Sequence, residues 1–435
     1  MVDLEKFINS IDSTNLVIPF GRIKNITATT IIANGIDVAV GDTVRIESEQ
    51  NLYKVLGMIT AIEGENFKIV PFSFIDGFRI NDRVFLQKEG LAINCGYGLL
   101  GRVLNALGEP IDNGGKVQDV PYTSSLNKPS IPPLERGVIN KVFATGVKAI
   151  DSMLTSGKGQ KVGIFAGSGV GKSTLMGMIV KGCEAQIKVV ALIGERGREI
   201  PEFIQYNLGG NLENTVIIAA TSDESALMRK YGAFTAMAVA EFFRDQGHDV
   251  LLIMDSVTRF AMAQREIGLS TGEPPVSRGY PPSVFALLPQ LMERAGNNKL
   301  GSITAFFTVL VDGDDMNDPI ADQSRSILDG HIVLTRELTQ SGIYPPIDIL
   351  QSASRVMDKV VLKEHYNCFL KLKKVLSLIK ENEVLIRVGA YKSGTDKELD
   401  EALARKDKVT AFLSQAQEQK YDFDTIVNLL KEVVS

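Results

Sequence analysis

The segment Ala166-Gly167-Ser168-Gly169-Val170-Gly171-Lys172-Ser173-Thr174 decides how this chain is read. It follows the apolar run 161–165, which reads as a buried strand, and it opens the stretch 172–181, which reads as a helix. A glycine-rich turn in that position can aim successive backbone N–H groups at one anion, and the helix N-terminus adds its partial positive charge. In such a loop Lys172 reaches the terminal phosphates of a nucleotide, and the Ser173 hydroxyl reaches the accompanying magnesium ion. Gly167, Ser168, Gly169, Val170, Gly171 and Thr174 are the remaining candidates to surround the phosphates. Glycine ordinarily begins this pattern, and Ala166 stands there instead. A glycine-rich turn without a ligand is the competing reading, which the strand before and the helix after disfavour.

Working outward from the loop, apolar runs at 162–165, 189–193, 215–219, 250–254, 303–311 and 332–334 alternate with helical patterns. That alternation predicts βαβ units and a buried parallel sheet over 141–360. Asp255 closes the run Val250-Leu251-Leu252-Ile253-Met254, so its carboxylate falls at the C-terminal edge of a strand, where such sheets bind ligands. An aspartate there can also cap a helix, but beside the Lys172 loop it is the candidate to hold magnesium. The run Gly194-Glu195-Arg196-Gly197-Arg198-Glu199 follows another strand. A hydrolase needs a carboxylate to orient and polarise the attacking water, and pattern alone does not separate Glu195 from Glu199. Phosphoryl transfer also develops charge that an arginine can neutralise, and Arg355 is one candidate among many. Tyr344, before Pro345-Pro346, can stack on a base, although a half-buried tyrosine is the default reading.

Short β-rich runs broken by Gly, Asn and Asp turns fill 17–91 and predict a small β-barrel or sandwich. A connecting segment over 92–140 holds a proline- and glycine-rich linker at 110–133. After Val360 the pattern turns helical, with charged faces at 363–380 and 397–419, which predicts a helical domain over 361–435. Leu4, Phe7, Ile8 and Ile11 share one helical face within 1–16, either a docking handle for a partner or a chain end packed on its own barrel.

Composition narrows the function classes. Of 435 residues, 44% are hydrophobic and 23% charged, with a net charge of −5, which excludes a disordered chain and speaks against a nucleic-acid-gripping protein. The cysteines at 95, 183 and 368 lie far apart without metal-ligand spacing and are expected to be buried and free in a reducing compartment. No secretory leader and no membrane span are read, so the expectation is cytoplasmic.

Beyond these separate signals, several segments together resemble the catalytic subunits of rotary ATP synthases and, more closely, the export ATPases of flagellar and other type III secretion systems. The resemblance rests on 166–174, 194–199, 251–260, the run from Tyr344-Pro345-Pro346-Ile347-Asp348 to Ser352-Ala353-Ser354-Arg355, and Gly98–Val103 with Gly108–Asp112, in the same order. It covers nearly the whole chain and implies an N-terminal β-barrel, a central RecA-like P-loop α/β ATPase domain and a C-terminal helical domain. It also implies a homohexameric ring using ATP and Mg, with Lys172 on phosphate, Ser173 and Asp255 serving the metal, and Glu195 rather than Glu199 as catalytic carboxylate. By the same resemblance Tyr344 stacks on the base, and Arg355 serves as an arginine finger for a neighbour's site. Arg355 sharing a chain with Lys172 and Glu195 favours the secretion branch, because in ATP synthases the finger comes from a non-catalytic chain. So does the wording Arg278–Phe285.

The resemblance further implies a regulatory protein at the N-terminal helix, a central stalk protein against the loop 268–282, export chaperones and cargo, and peripheral association with a membrane export gate. The flagellar apparatus is preferred over a virulence injectisome. The competing readings are a rotary synthase subunit, an RNA-binding termination-type motor and a non-catalytic nucleotide-binding subunit. The acidic balance opposes the motor and Glu195 opposes the non-catalytic subunit.

Overall fold

The computed structural model describes residues 18–50, 53–87, 90–311, 313 and 315–435. The expected partner-binding segment 1–16 lies outside them. In the first of two compact units, six strands close into a barrel in the order Gly21–Ile26, Ile31–Asn34, Asn66–Pro71, Lys54–Glu63, Thr43–Glu47, Arg83–Gln87, each pair antiparallel. Alternation along each strand sends one set of side chains inward, and Ile23, Ile31, Ile46, Ile59, Ile69 and Val84 meet there, all fully buried.

In the second unit a nine-stranded sheet carries the order Ile347–Ser354, Gly330–Leu334, Lys161–Ala166, Ser302–Leu310, Asp249–Asp255, Ile187–Glu195, Thr215–Thr221, Val103–Leu104, with Gly296–Asn297 paired beside Ser302–Leu310. The Gly330–Leu334 strand and every strand after it in this order run parallel. Their uninterrupted apolar runs follow from burial on both faces. The strand Ile347–Ser354 runs antiparallel at one edge. The sequence reading contained neither this strand nor Val103–Leu104 as members of the sheet.

The C-terminal helices Lys363–Glu381, Lys397–Leu413 and Phe423–Val434 bury His365, Cys368 and Leu372, then Leu399, Val409 and Phe412, then Ile426 and Leu430. Asp396 and Asp422 cap the second and third by accepting from backbone N–H groups of their first turns. The expected helix over 397–419 stops at Leu413, because Gln415 leaves the helical path to serve distant backbone groups. The expected loop 268–282 is also shorter: helix Val257–Thr271 runs through Gly268 and ends only at Gly272, whose φ of +97° closes it. All three cysteines are buried and free, and burial pushes the Cys95 thiol up to about 12.

Candidate functional site

Strand Lys161–Ala166 ends at the glycine-rich turn, and helix Lys172–Gly182 begins directly after it. Gly169 and Gly171 take φ values of +76° and +97°, which L side chains rarely adopt, so only glycine lets the turn curl this way. Gly167, Ser168, Gly169 and 171–174 line a cleft of about 650 Å³ together with Glu195, Glu199, Asp255 and Arg259. Val170 is buried beneath the turn, so only its backbone is available to a ligand.

Four parallel strands deliver the polar groups to one sheet edge. Asp255 ends Asp249–Asp255 and is 2% exposed. Its Oδ1 accepts from Lys172 Nζ at 2.5 Å and from the Thr308 hydroxyl at 2.6 Å. Glu195 ends Ile187–Glu195, with Oε1 3.6 Å from Lys172 Nζ. Burial alone would lower the Lys172 ammonium, but Asp255 and Glu195 outweigh it and hold it above its ordinary value. Burial, helped by the negative charge of Asp255 and by Glu199, pushes the Glu195 carboxyl up to about 7 against the opposing pull of Lys172. Glu195 Oε1 is buried and has no hydrogen-bond partner. Such an atom is poised for a group that the protein itself does not supply.

Glu199 lines the same cleft from the next helix, with Oε1 3.3 Å from Arg196 Nη1. Ser173 is exposed at the helix start. A hydroxyl and a carboxylate beside a phosphate cradle fit magnesium, which keeps several waters and takes few protein ligands.

Tyr344 stands on the rim. Its hydroxyl donates to Gly171 O at 3.2 Å, and a Cβ on Gly171 would come within 3.0 Å of the ring. Arg355 is not brought to the cleft. Its backbone N–H donates to Asp329 O, and the Asp329 N–H donates to Lys161 O, so it sits at the opposite end of the strand that feeds the phosphate turn. Five steps of a six-residue strand at about 3.3 Å each separate the two ends by roughly 17 Å.

Arg259 was missed as a site residue. Its Nε is buried without a hydrogen-bond partner and its side chain lines the cleft. A Cβ on Gly194 would stand 2.8 Å from Arg259 Cβ, so the glycine before Glu195 admits the arginine. The signal was its position one helical turn after Asp255, legible only once the cleft is assembled.

Residues 146–354 match the ATP synthase alpha/beta family, nucleotide-binding domain, and residues 361–432 match the T3SS EscN ATPase C-terminal domain. The chain is 58% identical over 416 residues to the flagellum-specific ATP synthase of Helicobacter pylori, covering 95% of each. The assembled ATPase EscN of the enteropathogenic E. coli type III secretion system matches with a TM-score of 0.91 at 44% identity, covering 95% of this chain and 100% of that one. EscN in complex with its central stalk EscO matches with a TM-score of 0.88 at the same identity and coverage.

Proposed function

Because the chain belongs to the family of flagellum-specific ATP synthases and type III secretion ATPases, we propose that it hydrolyses ATP in a homohexameric ring to energise protein export by a flagellar type III apparatus. The observation that carries the hydrolytic reading is Lys172 held between Asp255 and Glu195 beneath the phosphate turn. The higher identity to a flagellar relative than to EscN supports the flagellar system over an injectisome.

The backbone N–H groups of 167–174 and the Lys172 ammonium hold the triphosphate. Ser173 and Asp255 hold magnesium, which when bound neutralises charge on the phosphate oxygens. Glu195, whose buried Oε1 faces Lys172 at 3.6 Å without a hydrogen bond, orients the attacking water and takes its proton. A carboxyl near 7 is matched to that task, being able to exchange a proton near neutral pH. Arg259 reaches the terminal phosphate from the same chain and neutralises charge as the leaving bond breaks. Tyr344 stacks on the base.

Arg355 acts on a neighbour's site. It is too far from its own Lys172 to serve it, so a site is complete only where one subunit's Arg355 face meets another's phosphate turn. By analogy with EscN and its stalk EscO, a central stalk protein contacts the loop within 268–282. A regulatory protein at 1–16, export chaperones with their cargo, and peripheral contact with a membrane export gate complete the proposal. No helix of the described residues is long and apolar enough to cross a membrane.

The reading is tested by ATP turnover of the purified chain with and without magnesium, beside Glu195→Gln. Magnesium-dependent turnover that collapses in the variant supports it, and equal rates in the two proteins remove Glu195 from the chemistry.

A further inference from the structure

Gln415 is a polar side chain that is 3% exposed, and every polar atom on it is used. Its Oε1 accepts from Lys148 N at 2.8 Å, and its Nε2 donates to Gly146 O at 2.9 Å and Gln419 O at 2.8 Å. Its backbone N–H donates to Tyr344 O at 2.7 Å. Four bonds from one residue, those to Lys148 and Gly146 buried, join the 146–148, 344 and 415–419 segments.

Those segments meet both ends of one helix. Gly146, with φ of +74°, lies against Gly182, and a Cβ on Gly182 would fall 2.3 Å from Thr145 O, so the 145–148 turn abuts the last residue of helix Lys172–Gly182. At the other end of that helix the Tyr344 ring covers Gly171. Gln415 therefore closes a circuit from the phosphate turn along its helix to Gly146, and through Tyr344 O back to the ring above the turn. A second fastening runs beside it: Lys148 Nζ donates to Ala411 O at 3.4 Å and lies 5.2 Å from the Tyr421 ring centre. These contacts, which do not involve the Gln415 side chain, should keep the C-terminal helices attached when it is changed.

We propose that Gln415 is a positioning residue for the nucleotide base: by anchoring to 146–148 it fixes the Tyr344 turn over the phosphate loop. The inference rests on Tyr344 as the base-stacking residue. Gln415 is buried and does not line the cleft, so its removal should weaken what the base contributes and leave the grip on phosphate intact.

The test compares wild type, Gln415→Met, Gln415→Glu, Tyr344→Ala and the Gln415→Met/Tyr344→Ala pair in the full chain, using ADP and pyrophosphate as probes. Gln415→Met is expected to raise KM for ATP and the Kd for ADP about three- to tenfold, the range of one aromatic contact. Its kcat and the Kd of pyrophosphate should stay at wild-type values. Gln415→Glu, which keeps the acceptor for Lys148 N, should fall between the two. In the pair the loss should equal that of Tyr344→Ala alone, since both act through one ring.

Equal weakening of ADP and pyrophosphate, or losses that multiply in the pair, overturns the proposal. Tyr344→Ala leaving ADP affinity unchanged refutes the stacking reading itself. Tyr344→Ala weakening ADP with Gln415→Met silent refutes only the role of Gln415. Should the Gln415 variants not fold, hydrogen exchange of the wild-type Gln415 amide decides: slowed by ADP and not by pyrophosphate if the proposal holds, and equally affected by both if it fails.

Discussion

Arg355 and Lys172 lie at opposite ends of the strand Lys161–Ala166, and this separation makes a quantitative prediction about mixtures. Arg355→Ala keeps an intact phosphate turn but offers its neighbour no arginine, whereas Lys172→Ala offers the arginine but has no working turn. Each alone should lose turnover, by about 10³- to 10⁵-fold for the finger. When the two are unfolded or dissociated together and reassembled at random in equal amounts, about a quarter of head-to-tail interfaces pair an intact turn with an intact arginine. Turnover of the mixture should therefore rise to about a quarter of wild type, and at other ratios follow the product of the two fractions, with its maximum at equal amounts. Phosphate release is the assay, with differently tagged variants captured together to establish co-assembly. Two results would refute the reasoning. One is a mixture that co-assembles yet stays at the level of the separate variants at every ratio. The other is Arg355→Ala alone turning over at the wild-type rate.

Three further predictions concern single groups. Folding raises Glu195 from 4.5 to about 7, so the folded chain binds that proton more tightly. The resulting stability is fully present below about pH 4.5 and is lost as pH rises through about 7. Glu195→Gln should therefore be more stable than wild type at pH 8 by about 2 kcal/mol, discounted for partial exposure, with the gap closing near pH 4.5 in denaturant titrations without nucleotide. Arg294 is 1% exposed and Glu241 3%, paired at 2.7 and 2.8 Å. Glu241→Ala strands that buried guanidinium and should cost about 3–5 kcal/mol in urea unfolding. Arg259→Ala should lower kcat about 10²-fold with ADP affinity little changed; a loss confined to KM would place Arg259 in binding rather than in transition-state stabilisation.

The phosphate turn and the strands around it were legible because their signals are local. An apolar run such as Val250–Met254 means a strand buried on both faces, and Gly169 and Gly171 stand where the backbone needs positive φ. Other features depend on partners far away in sequence. Ile347–Ser354 pairs at the sheet edge, and its mixed burial gave no clean alternation. Val103–Leu104 is two residues long, and pairing with Thr215–Thr221 alone makes it a strand. The end of the helix at Leu413 depends on Gln415 bonding to Gly146 and Lys148, more than 260 residues upstream. Arg259 enters the cleft only because Gly194 leaves space for it. Arg355 resembled a finger by its motif, while its distance from Lys172 is a property of the sheet and not of any spacing in sequence.

The contact between Lys172 and Asp255 bears on how magnesium would enter the proposed site. On the proposed reading, the ammonium 2.5 Å from Asp255 is a counter-ion to the same carboxylate that would hold magnesium. A divalent cation arriving alone meets a competitor already in place and finds no phosphate to share it. A triphosphate would give Lys172 other oxygens to hold and free Asp255 for the cation. Magnesium should thus enter with its nucleotide, and calorimetric titration of the empty protein with magnesium chloride alone should give no saturable heat.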